Sequence, residues 1–172
     1  MNPFDDLGTF LLHTMVLEDE AAARYDELAD AMEVHHNREV EDLFRHMAHV
    51  SRLHLNEATD HASLHAGDLP QLKPWEFDWP GQESPESGQF ESSHYLMTPH
   101  QALQLALAAE LSAQDFYDSV ARQASDDSIR LLAAEFAAEE AEHATALRRW
   151  LARYPETARA WDEDLDPPAS VD

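Results

Sequence analysis

The sequence predicts an all-α fold: a four-helix bundle built from a duplicated helical hairpin with one long crossover. Three observations predict it. Apolar residues recur at helical spacing through four long runs. Gly is held to 4 of 172 residues, and most of the 9 Pro fall outside those runs. The two halves of the chain repeat each other at a nearly constant offset. We read residues 1–172 as a single domain: hairpin 5–66, crossover 67–98, hairpin 99–154 and tail 155–172.

The first helix is expected from Asp5 to Val34. Its seam reads Leu11, Met15, Glu18, Ala22, Tyr25, Ala29, Met32, with spacings that alternate four and three. Glu18 stands where an apolar residue belongs. Either the helix is rotated and Glu18 is exposed beside Asp19 and Glu20, or the carboxylate is buried and needs a partner, a proton or a cation.

A turn at His35-His36-Asn37 follows, with Asn37 as N-cap of a second helix from Arg38 to Ala66. Its seam is Val40, Leu43, Met47, Val50 or Ser51, His54, Ala58 and His61. The short turn makes the two helices antiparallel neighbours, which sets His54 opposite Glu18. His46 and His49 fall off the seam towards solvent. His61 reads as a helix-end histidine, and His13 forms no ligand-like pattern.

From Gly67 to Thr98 every periodicity stops. Four prolines, three glycines and a polar run mark an irregular connection long enough to cross the bundle. Trp75, Phe77 and Trp79 are expected to anchor it, and a substrate lid is the sharper reading. Thr98-Pro99 then opens a third helix, to Ala124, with the seam Leu103, Ala106, Glu110, Ala113, Tyr117, Val120. Ser125-Asp126-Asp127 caps a fourth, which stops at Arg153 before Pro155. Its seam is Leu132, Phe136, Glu140, His143, Leu147, Trp150. The tail adds a short helix through Trp161 and then an acidic end.

The repeat decides how Glu18 reads. Glu18, Ala21 and Tyr25 match Glu110, Ala113 and Tyr117 at an offset of 92, while Leu43, Ala48 and His54 match Leu132, Ala137 and His143 at an offset of 89. Two glutamates in equivalent seam positions, each seven before a tyrosine, point inward together. The seams then bring Glu18, His54, Glu110, Glu140 and His143 to one level. Carboxylates with imidazoles suit iron, manganese or zinc. Tyr25 and Tyr117, two turns away, are placed to support the ligands from behind.

The formal charge is −24, from 35 acids against 11 bases, which repels nucleic acid and anionic membranes and draws in cations. No cysteine is present, so disulfides, iron–sulfur clusters and thiol catalysis are excluded. No apolar run is long enough to span a membrane, and the acidic start is no signal peptide, so the expected location is the cytoplasm.

On Glu18 with Ala21 and Tyr25, His54, Glu110 with Ala113 and Tyr117, and Glu140-x-x-His143, the chain resembles the rubrerythrin-like branch of the ferritin-like superfamily. The resemblance covers both hairpins and is more specific in the second. It implies a ferritin-like bundle with a di-iron or di-manganese centre that acts on peroxide, dioxygen or ferrous iron, and it implies a homodimer. Two departures stand out. Without cysteine there is no rubredoxin domain, so the electron donor is open. The family also expects Glu where this chain has Ser51, which leaves a carboxylate missing; water or Glu57 are the candidates to fill the gap, with one ion or none as the other outcome. The rival reading is a non-enzymatic iron-binding, storage or interaction protein with a degraded site. A purely structural bundle, with the acids and histidines paired among themselves, is the costlier third.

Overall fold

The computed structural model describes residues 2–79 and 97–156. Four helices form the bundle: α1 (Leu7–Val34), α2 (Arg38–His61), α3 (Pro99–Gln123) and α4 (Asp127–Arg153). Short 3-10 turns precede α1 (Pro3–Asp5) and interrupt the crossover (Pro74–Glu76), and a wider helical turn, Ala62–Ala66, prolongs α2. Among the described residues there is no strand, and no helix is long and apolar enough to cross a membrane.

The helices begin where side-chain acceptors satisfy their free N–H groups. Asp6 accepts from Thr9 N–H, so α1 starts two residues later than Asp5. Asn37 accepts from Val40, and Asp126 from Ser128 and Ile129. Thr98 and Gln101 form a reciprocal capping box with Pro99 at the first position. His36 turns the chain between α1 and α2 with a left-handed φ of 54°.

α1 packs on α2 and α3 on α4, giving two hairpins that meet across α1 and α3. Most predicted seam residues are buried, with Met15, Leu43, Leu132 and Trp150 only partly so, and together with neighbours off the seams they build two apolar clusters. One holds Phe10, Leu17, Phe116, Tyr117, Ile129 and Phe136. The other holds Tyr25, Leu28, Met32, Phe44, Leu103 and Leu147. This is an all-α, ferritin-like bundle.

The crossover begins close against α1. A Cβ on Gly8 would meet Pro70 Cδ at 3.3 Å, so the smallest residue sits where the connection passes. Phe77 and Trp79 then dock on His13, with ring centroids 4.8 and 4.9 Å away, and Trp79 also packs on Phe116. Trp75 departs from the expected anchoring: it is 77% exposed, with the Lys73 ammonium over its ring at 5.4 Å. The 3-10 turn it occupies faces it away from the helices. His13, which belongs to no ligand-like pattern, is buried: Nδ1 lies 2.8 Å from the Thr9 carbonyl and Nε2 accepts the Asp78 N–H at 3.2 Å. A helix carbonyl can only accept, so Nδ1 carries the proton and the ring is neutral. Burial accordingly lowers its basicity. The rest of the crossover, with the lid reading, and the tail helix through Trp161 lie outside the described residues.

Candidate metal centre

The first three helices each lend one ligand position to a common level of the bundle, and the fourth lends two. α1 gives Glu18, α2 His54, α3 Glu110, and α4 both Glu140 and His143. The three carboxylates are buried; the histidine side chains keep 14% and 27% of their surface. Their ligand atoms form two groups, Glu18–His54–Glu140 and Glu110–Glu140–His143, each within 4.8 Å. Glu140 belongs to both. His54 Nδ1 lies 3.7 Å from Glu18 Oε1, and His143 Nδ1 lies 3.4 Å from Glu110 and 3.2 Å from Glu140. The imidazoles stack across α2 and α4, centroids 5.8 Å apart and 14° from parallel.

Both tyrosines hold carboxylates directly. Tyr25 on α1 donates to Glu110 on α3, and Tyr117 on α3 donates to Glu18 on α1 at 3.4 Å. Reading each tyrosine against the glutamate of its own helix misses this. Antiparallel α1 and α3 set each tyrosine opposite the other helix's glutamate. The α1–α3 side is therefore dry and hydrogen-bonded, while the α2–α4 side, with its half-buried histidines, faces water.

Without a cation the carboxylates cannot all stay charged. Burial pushes the Glu18 carboxyl up. Burial and the neighbouring Glu110 push Glu140 well above the carboxylate range. Burial also opposes ionisation of Glu110, but hydrogen bonds from Glu140, His143 and Tyr25 outweigh it and hold that carboxyl low. The pair thus shares one proton, carried by Glu140. The adjacent Glu18 carboxylate raises His54. Burial opposes a charge on His143, and Glu110 overrides it. Both phenols are pushed well above the tyrosine range by burial and by the nearby acids, so they remain donors.

Ser51 is buried on the face of α2 that carries His54. Glu57, the expected substitute, is exposed and joins neither group; its charge still supports a protonated His54. The residue that sequence reasoning missed is Glu139, whose Oε2 lies 3.3 Å from His54 Nε2. The donor set fits a metal pair: three carboxylates, two imidazoles and a shared Glu140 supply the mixed oxygen–nitrogen ligands that such ions take in a bundle core.

A bundle with two hairpins and this carboxylate–histidine level is of the ferritin-like class. The chain belongs to the rubrerythrin family. The family's sequence model matches residues 101–165, which contain the more specific of the two halves. The crystal structure of an uncharacterised conserved protein from Magnetospirillum magnetotacticum MS-1 is 39% identical, with a TM-score of 0.73 over 87% of this chain and 96% of that one. Among curated proteins, none matches.

Proposed function

We propose that the chain binds a pair of metal ions, iron in the first instance, and acts as an oxidoreductase on peroxide, dioxygen or ferrous iron. The observation that carries the reading is Glu140, the carboxylate common to both groups of ligand atoms. Glu18 and His54 would hold one ion, Glu110 and His143 the other, with Glu140 between them. Manganese or zinc suits the same donors. When bound, two ferrous ions supply the two electrons that peroxide reduction requires.

The protein's own groups do the rest. Tyr25 and Tyr117 orient Glu110 and Glu18, leaving each carboxylate an oxygen free for a cation. Histidine Nδ1 atoms face the carboxylates and fix the direction of the nitrogen donors. The two apolar clusters exclude water from the bundle interior. The half-buried α2–α4 side leaves a small oxidant its approach, and the acidic surface favours the arrival of ferrous ions.

Ser51 supports a second reading, in which the protein binds or stores iron without turnover, because one position lacks its anionic ligand. Anaerobic ferrous loading followed by stopped-flow mixing with peroxide or dioxygen separates the two. Near two equivalents bound and repeated oxidation support the oxidoreductase; binding without turnover supports storage. Uptake below about half an equivalent of iron, manganese or zinc per chain removes both.

A further inference from the structure

The two nitrogens of His54 face different carboxylates. Nδ1 looks inward at Glu18, and Nε2 looks outward at Glu139 on α4. Glu139 is 43% exposed as a side chain, yet its Oε2 is buried and makes no hydrogen bond; the ring nitrogen at 3.3 Å is what it faces. A small rotation of either group makes that approach an N–H···O bond. The repeat makes the arrangement one-sided. At the offset of 89, Glu140 corresponds to Ser51 and Glu139 to Val50, so α4 has two acids where α2 has none.

We propose that Glu139 is the positioning carboxylate of His54: it accepts a hydrogen bond from Nε2–H, fixes that tautomer, and turns the Nδ1 lone pair towards Glu18 and Glu140. A histidine that binds a metal through one nitrogen needs its other N–H held, and a carboxylate both orients the ring and makes it a stronger donor. The α2 side of the centre, short of a ligand at Ser51, keeps its single imidazole in register through a residue of α4. Val50 can accept no hydrogen bond, so the equivalent role is absent from the other half.

The inference rests on the metal-centre reading, and two measurements keep them apart. The first needs no metal. Nitrogen-15 NMR of the apoprotein at about pH 9, above the ordinary histidine range, reports the His54 tautomer. The Nε2–H form is expected in the wild type and in Glu139→Gln, whose amide oxygen still accepts, and a shift towards Nδ1–H in Glu139→Ala. The second is equilibrium dialysis with Zn2+ alone. Glu139→Ala should weaken one of two ions about 10- to 100-fold and leave the other unchanged. Glu139→Gln should stay within a few-fold of wild type, and Glu142→Ala, an exposed acid on the same helix, should match it. An unchanged tautomer in Glu139→Ala overturns the proposal. So does equal weakening of both ions, or a Gln variant as impaired as Ala, which would make Glu139 a ligand or a bare charge. Wild-type protein that takes up no Zn2+ overturns the centre, while the tautomer still decides the pairing.

Discussion

The Tyr25 hydroxyl of α1 donates to Glu110 of α3, 85 positions further along the chain. Its counterpart, Tyr117 to Glu18, spans 99 positions and is longer, at 3.4 Å. The pairs are equivalent by repeat but unequal in strength, because Glu110 stays charged while burial drives Glu18 towards its neutral form. Tyr25→Phe strips a donor from a buried carboxylate and should cost the metal-free protein about 1–3 kcal/mol. Tyr117→Phe should cost about 1 kcal/mol or less. Urea unfolding of both variants checks the order, and a larger loss at Tyr117 contradicts it.

Ser51→Glu restores the carboxylate that the family expects on α2. Without metal it adds a fourth acid to a buried level that already shares protons, so the apoprotein should lose about 1–3 kcal/mol. With metal the new anion gains a cation, and the ion on the Glu18–His54 side should bind more tightly. Thermal melts with and without Zn2+ should therefore move in opposite directions relative to wild type. A variant that melts lower in both conditions shows that the position is closed to a ligand.

Periodicity and capping made the four helices legible almost to the residue, since seams and caps are local properties of each run. Glu18 became legible only through the repeat. What the sequence hid were contacts between helices. Glu139 lies one residue before Glu140 and off its own seam, so nothing in α4 alone marks it; its meaning comes from His54 on α2. Glu57 was the opposite error, a residue near His54 along the chain whose side chain faces water. His13 joined no motif because the N–H that donates to it, that of Asp78, belongs to an irregular segment without periodicity.

His13 gives the fold a pH dependence with a definite sign. Its ring is neutral in the folded protein, and burial lowers its pKa there. The unfolded chain keeps the ordinary value near about 6.5. Below that value the unfolded state takes up the proton first. The stability His13 lends is therefore present above about pH 6.5 and is lost as pH falls through the lower folded value. His54 and His143 are raised and act in the opposite direction, so the His13 part must be read as a difference. The stability advantage of wild type over His13→Phe should shrink below pH 6.5 by up to about 1.4 kcal/mol per pH unit. Denaturant unfolding across that range measures it. A difference that stays flat would mean that the ring takes up its proton at the same pH in the folded protein as in the unfolded chain.

Glu140→Gln separates stability from function at the centre. In the metal-free protein Glu140 carries the proton it shares with Glu110, so it already acts as a neutral donor. A glutamine amide presents an N–H to the same oxygen at nearly the same volume. Unfolding free energy without metal should then stay within about 1 kcal/mol of wild type. Metal binding should collapse, because the one carboxylate common to both groups is gone. Glu110→Gln should act differently, since it removes the charge that raises His143 and that accepts from Tyr25, and it weakens one ion rather than two. Zn2+ dialysis and urea unfolding of the two variants form the test. Retention of both ions by Glu140→Gln would show that this carboxylate does not join the two halves.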